Sequence, residues 1–147
     1  MDNSNIVDIL IVEDNPQDAE LILRALKMSN LENSIYLVED GAEAIDFLFC
    51  KGKYENRNIH TPPKVVLLDL KLPKLNGLEV LKIIKEDVRT IHIPIVIVTS
   101  SSEEPDIIEA YQLGANSYVV KPVDFTQFTT AMTNLGLYWL LINKPIQ

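Results

Sequence analysis

A doubly wound α/β fold around a five-stranded parallel sheet is the architecture this sequence predicts, on three observations. From residue 7 onward, short aliphatic runs alternate with helical segments about a dozen residues long, the pattern of repeated βαβ units. The runs are near-continuous in Val, Ile and Leu, as strands covered on both faces must be. Four of them stop at polar residues: Glu13 and Asp14 after ILIV, Asp69 after VVLL, Thr99 after IVIV and Lys121 after SYVV.

In chain order the runs place strands at Val7 to Val12, Ser34 to Glu39, Val65 to Leu70, Pro94 to Ser100 and Ser117 to Val120, each followed by a helix. The first helix opens with Asn15 as N-cap and Pro16 at its first position, and Ala19, Ile22, Leu23 and Leu26 fall on one stripe to be buried. The third starts near Gly77, with Val80, Leu81, Ile84 and Val88 inside and Glu79, Lys82 and Lys85 outside. The fourth is expected from Ser101, spaced as a capping box with Glu104, to a C-cap near Gly114. The polar stretch from Lys51 to Lys64 is longer than an ordinary connection and reads as a surface loop. At Leu137 to Ile142 (LYWLLI) the last helix turns apolar on nearly every side; internal packing and a second subunit are both open as its cover.

At 147 residues the chain fits one domain, 1–147, with no output domain expected after Ile142; a chain of this size buries roughly 70% of its unfolded surface. With 21 acidic against 13 basic side chains and a net charge of −8, it is expected to repel nucleic acid and anionic membranes. MDNSNIVD lacks the basic and apolar regions of a secretory signal, and no apolar run approaches the roughly 20 residues that span a bilayer, so a cytoplasmic protein is expected. The lone Cys50 cannot form an internal disulfide and reads as a helix-packing residue.

Ligands of doubly wound folds bind just beyond the carboxyl ends of the strands, so the polar terminators should converge. The first strand lies beside the third in this topology, which gathers Glu13, Asp14 and Asp69. Three carboxylates repel one another unless a cation sits among them, and magnesium accepts a few hard oxygen ligands while keeping several waters. Three acids, one divalent ion and Lys121 sum to zero charge, a site that no longer repels a phosphoryl group. Asp69 is then the nucleophile, Lys121 a point charge on the phosphoryl oxygens, and Thr99 a hydroxyl that can donate only after phosphate arrives, as a switch requires. His60 and His92 read as too far apart in the pattern to pair on a metal, and Glu103, Glu104 and Asp106 as acids complementing a helix start.

With LIVEDN from Leu10, VLLDLKLPKLNGLEVL from Val66, PIVIVTSS from Pro94 and GANSYVVKPVD from Gly114, the chain resembles the receiver domain of two-component response regulators over practically its whole length. The resemblance implies a flavodoxin-like fold of strand order 2-1-3-4-5 with helices on both faces. It implies Asp69 as phosphoacceptor and Glu13, Asp14, Asp69 and the Lys71 main-chain carbonyl as Mg2+ ligands. Thr99 and Lys121 would contact the phosphoryl group, Tyr118 would be an aromatic switch turning inward with Thr99, and the Lys121–Pro122 bond would be cis. NPQDAELI, VEDGAEAIDFL, the long loop, YQLGANSYVVKPVDFTQF and YWLL are similar to small cyanobacterial-type regulators paired with phytochrome histidine kinases. Lys71 departs from the asparagine of that subgroup's DLNLP form, which bears on phosphoryl lifetime.

The function implied is a single-domain phosphoacceptor, not an enzyme acting on a separate substrate. It would take phosphate from a histidine kinase, phytochrome-type by the narrower likeness, and signal through protein contacts or a phosphorelay. A homodimer through the fourth helix, fifth strand and fifth helix is expected. The alternative is a phosphorylation-independent pseudo-receiver, which the full set of five site residues argues against. An aspartyl-phosphate phosphatase or mutase would want an acid where Lys71 stands, and a flavin site would want a hydroxyl-rich turn where Glu13 to Gln17 offers acids.

Overall fold

The computed structural model describes residues 7–28, 31 and 34–137. Five parallel strands, β1 (Ile9–Val12), β2 (Ile35–Val38), β3 (Val65–Leu68), β4 (Ile95–Thr99) and β5 (Ser117–Val120), form one sheet in the order β2-β1-β3-β4-β5. The register sets Val12 beside both Val38 and Leu68, and Thr99 beside Val120, so the strands end close to one line. Helices α1 (Pro16–Met28), α2 (Gly41–Phe49), α3 (Gly77–Glu86), α4 (Glu104–Gln112) and α5 (Phe125–Asn134) follow the strands in turn.

Alternate residues of each strand feed two separate cores, because successive side chains leave a sheet on opposite faces. Leu10, Val12, Val66, Leu68, Ile95 and Ile97 pack under α2, α3 and α4. Ile9, Ile11, Val65, Leu67, Val96 and Val98 pack under α1 and α5. Burying one such side chain is worth about 1.5–3 kcal/mol, so both faces are firmly fixed and the strand ends inherit that rigidity.

The strands are shorter than expected by one to two residues at most ends, so Glu13, Asp14, Asp69 and Lys121 stand just past their strands while Thr99 is the last residue of β4. Asn15 caps α1 as expected, its Oδ1 accepting from the Gln17 and Asp18 amides at 2.9 and 3.1 Å. Five expectations change. Leu23 is 37% exposed on α1, where Ala25 joins Ala19, Ile22 and Leu26 inside instead. Val88 lies past the end of α3 and is 87% exposed, because the helix stops at Glu86 and the next residue, Asp87, is extended. Lys85 is half-buried, its Nζ donating to the Ile91 and Ile93 carbonyls at 3.0 and 2.7 Å.

The fourth concerns α4, which starts at Glu104 with Glu103 as its N-cap, so no Ser101–Glu104 capping box forms. Pro105 is the cause: in a helix begun at Ser101 its ring would clash with the Ser101 carbonyl four residues back. Ser101 instead donates to Asp106 Oδ2 at 2.6 Å and accepts from the Glu103 amide at 3.3 Å. Gly114, at φ 109°, follows the α4 C-cap as expected. Cys50 is not inside a helix; it is the half-buried C-cap of α2 in the left-handed region, at φ 58°. Leu137 is buried just beyond α5, and the rest of the LYWLLI segment lies outside the described residues.

Candidate metal and phosphoacceptor site

Sheet pairing delivers the acids. The Glu13 amide donates to the Val38 carbonyl at 3.0 Å and the Asp69 amide to the Val12 carbonyl at 3.1 Å, so both residues continue the ladder one step past their strands. Glu13 and Asp69 are buried, at 2% and 6% exposure, while Asp14 points to solvent. One carboxylate oxygen from each of Glu13, Asp14 and Asp69 lies within 4.8 Å of the others. Among the described residues this is the one grouping of three or more metal-capable side chains.

Asp69 is held from behind by α3. The Gly77 amide donates to the Leu70 carbonyl at 2.8 Å, and a Cβ on Gly77 would stand 2.1 Å from the Asp69 carbonyl oxygen. Only glycine lets the helix come this near. The Lys71 amide donates to Asp69 Oδ1 at 3.3 Å, which fixes that carboxylate's orientation.

Lys121 closes the site from β5. Its Nζ donates to Glu13 Oε1 at 2.5 Å, Asp69 Oδ2 at 2.8 Å and Asp18 Oδ2 at 2.9 Å, and its amide donates to the Thr99 carbonyl at 2.8 Å. Burial opposes the lysine's charge, but hydrogen bonds to Asp69, Glu13 and Asp18 outweigh it and push the ammonium above its ordinary value. Burial also pushes Glu13 up, against the Lys121 and Asn15 hydrogen bonds that favour its charged form. The Lys121–Pro122 bond is cis.

Asp18 is the residue that sequence reasoning missed. It sits in the first turn of α1, where an acid reads as a complement to the helix dipole. Its place four residues after Asp14, on a helix starting at the sheet's carboxyl edge, was the available signal. Its presence changes the charge: four carboxylates, one ammonium and one divalent ion sum to −1, not zero.

Thr99 is fully buried at the end of β4, and its Oγ1 accepts from the Ser101 amide at 3.5 Å. Tyr118 is half-buried on β5 and donates to the Ser101 carbonyl at 2.8 Å, with its ring 6.5 Å from that of Tyr111. Burial, with Asp106 adding, raises the phenol above its ordinary value although the Ser101 bond opposes the shift. Thr99 and Tyr118 thus meet at the loop between β4 and α4. His60 and His92, expected to lie apart, line one surface cavity of about 310 Å³ with Arg89.

The donor set fits a hard divalent cation: oxygens only, one of them on a solvent-facing acid, clustered more tightly than like charges would settle alone. A doubly wound sheet with clustered acids and one lysine at its carboxyl edge defines the class of aspartate-based signal receivers. The chain belongs to the response regulator receiver domain family, whose profile matches residues 9–133.

Its relatives narrow this further. The response regulator Rcp1 of Synechocystis sp. is 36% identical over 132 residues, covering 90% of this chain and 88% of Rcp1. The Mn(2+)-bound form of Rcp1 superposes with a TM-score of 0.74 at 34% identity, covering 95% of this chain and 97% of that one. The bacteriophytochrome response regulator AtBRR is 51% identical, with a TM-score of 0.82 and coverage of 92% and 96%. The phosphorylated cyanobacterial phytochrome response regulator RcpA is 38% identical, with a TM-score of 0.75 and coverage of 90% and 92%. The chain is a receiver-type response regulator related to phytochrome response regulators. Its partner class is the histidine kinase, and receiver domains bind a divalent metal, for which Glu13, Asp14 and Asp69 are the clustered oxygen donors. No described helix is long and apolar enough to cross a membrane.

Proposed function

We propose that Asp69 accepts a phosphoryl group from the phosphohistidine of a phytochrome-type histidine kinase. The observation that carries this is Lys121 Nζ, which bridges Asp69 and Glu13 at the point where three acids cluster. Mg2+ is the ion the oxygen donors favour, with Glu13, Asp14, Asp69 and the Lys71 carbonyl as its protein ligands; when bound, it neutralises charge on the phosphoryl oxygens. An Asp69 carboxylate oxygen attacks phosphorus in line with the imidazole nitrogen. The P–O bond forms, the P–N bond breaks, and the imidazole leaves with a proton from solvent. Lys121 exchanges its Asp69 bond for one to a phosphoryl oxygen, which retains the ammonium in the same place. Such catalysis is positioning and charge placement, and it extends to the chain's own phosphorylation and dephosphorylation alone.

Phosphate arrival gives the Thr99 hydroxyl an acceptor stronger than any amide contact it now makes. Thr99 moving toward it pulls on the loop through Ser101, to which Tyr118 is bonded, and Tyr118 follows inward. Ile108 and Tyr111 on α4 and Phe125 on α5 are exposed apolar side chains, and they support a homodimer through α4, β5 and α5. The strongly acidic surface supports protein contacts in the cytoplasm over nucleic acid.

Intact mass after incubation with acetyl phosphate, with and without magnesium, is the test. Wild type should gain one phosphoryl group only with the metal, and Asp69→Asn none. A wild type that stays unlabelled by acetyl phosphate and by phosphorylated kinase would leave a pseudo-receiver.

A further inference from the structure

The loop from Lys51 to Lys64 builds a second polar site at the opposite, amino-terminal end of the sheet, since it runs from α2 back to the start of β3. It contains a 3-10 turn at Gly52–Tyr54, which seats Tyr54 in the core. Tyr36, Phe47 and Tyr54 pack ring to ring at 5.0–5.9 Å between centroids. The Arg57 guanidinium lies 3.7 Å above the Phe47 ring centre, and its Nη1 donates to the Phe47 carbonyl at 2.5 Å.

Arg57 Nε and Nη2 are both buried and unpaired among the described residues. In a chain with 21 acidic side chains, none of the described ones meets this cation. Burial lowers the tendency of the group to stay charged, as an uncompensated cation requires. Nε and Nη2 form the side-on fork of a guanidinium, whose two parallel N–H groups match the two oxygens of a planar carboxylate. Arg57, Tyr36, Phe47 and Tyr54 line a cavity of about 350 Å³, with exposed Lys53 and Asn56 at its rim. That volume falls in the range of small-molecule sites, roughly 300–1,000 Å³.

We infer that this cavity binds a carboxylate, seated on the Nε/Nη2 edge of Arg57 with its apolar body against the exposed Tyr36 ring. Because the two donors are closed off from solvent, the ligand enters by displacing the exposed rim side chains. A free aromatic acid and the side chain of an acidic segment offer the same carboxylate. Neither source involves the phosphoacceptor site.

The test is NMR titration of the 15N-labelled full chain, reading the Arg57 Nε–H signal and the backbone amides of residues 47–57, with benzoate, N-acetylaspartate amide and inorganic phosphate as probes. Saturable low-millimolar binding of benzoate or the aspartate derivative is expected. The tighter of the two identifies the source, and phosphate should bind more weakly than both. Arg57→Lys keeps the charge and loses the fork, and should weaken binding by about tenfold or more. Arg57→Gln should abolish it. Both variants should accept phosphate from acetyl phosphate like wild type, which reports that they fold. The inference is overturned if no probe gives a saturable shift, if phosphate binds tightest, or if Arg57→Lys binds as well as wild type.

Discussion

The two ends of the sheet treat a long basic side chain in opposite ways. At the carboxyl end, Lys121 meets three carboxylates and a fourth stands beside it. At the amino end, Arg57 meets a carbonyl, a thiol and an aromatic face, and no described acid. One region has more negative charge than its cation can balance, the other a cation without balance. Each imbalance points to what is not protein: a divalent ion and a phosphoryl group at one end, an anion at the other. A buried charge is costly unless compensated, so the mismatch in each place reads as a binding specification.

The largest contrast should come from deleting each cation. Lys121→Met leaves Glu13 and Asp69 buried and facing each other, and removing one partner of a buried ion pair costs about 3–5 kcal/mol. Urea unfolding in the presence of a chelator should show a loss of that order, partly recovered by magnesium. Arg57→Met removes a cation that has no described acidic partner while keeping apolar contact with Phe47, and should cost about 1 kcal/mol or less. Comparable losses for both would mean that the two cations are equally well compensated, and the contrast would fail.

A sharper probe of the carboxyl end leaves every charge in place. Gly77→Ala would put a methyl group 2.1 Å from the Asp69 carbonyl oxygen and 2.6 Å from the Leu70 Cα, both backbone atoms that cannot swing aside. The expected outcome is a stability loss of about 1–3 kcal/mol, in the range of overpacking, with slower labelling by acetyl phosphate because the acceptor backbone shifts. Gly136→Ala is the control for sterics: its φ is 71°, but nothing lies within 4 Å of the added Cβ, so labelling should be unaffected.

These two regions were also unequally legible. Aliphatic runs ending at Asp14, Asp69, Thr99 and Lys121 announce both strands and site, because in a doubly wound sheet the end of a strand is where ligands bind. That logic reached the three clustered acids, Glu13, Asp14 and Asp69, and could not reach Asp18, which arrives from a helix. It also overextended α4, since the Ser101–Glu104 spacing carries no information about the clash Pro105 would impose. The Arg57 cavity was invisible for a different reason. Irregular loops have no periodicity, so the seating of Tyr54 and the stacking of Arg57 on Phe47 exist only in three dimensions. Likewise nothing in the spacing of His60 and His92 tells that both line one cavity, since one comes from a loop and the other from a strand entry that no repeat relates.

The smallest expected effect concerns Glu43, in the first turn of α2, whose partners Lys53 and Tyr54 line the Arg57 cavity. Burial raises its proton affinity, but the Lys53 ammonium, 2.7 Å away, the Tyr54 hydroxyl, also at 2.7 Å, and the Glu39 amide outweigh burial and set it below its ordinary 4.5. A carboxyl depressed in the fold binds fewer protons there than in the unfolded chain. Its contribution is therefore complete above 4.5 and is lost as pH falls through the lower folded value. Lys53 is exposed, so screening limits the contribution to about 1 kcal/mol or less. Urea unfolding at pH 6 and again well below 4.5 should show Glu43→Gln less stable than wild type at the higher pH and nearly equal at the lower. Glu43 accepts from Tyr54, whose ring lines the Arg57 cavity, so the same substitution should loosen that wall while labelling of Asp69 continues unchanged. A gap between variant and wild type that widened on acidification would reverse the sign, and would show that burial, not the Lys53 and Tyr54 contacts, governs this carboxylate.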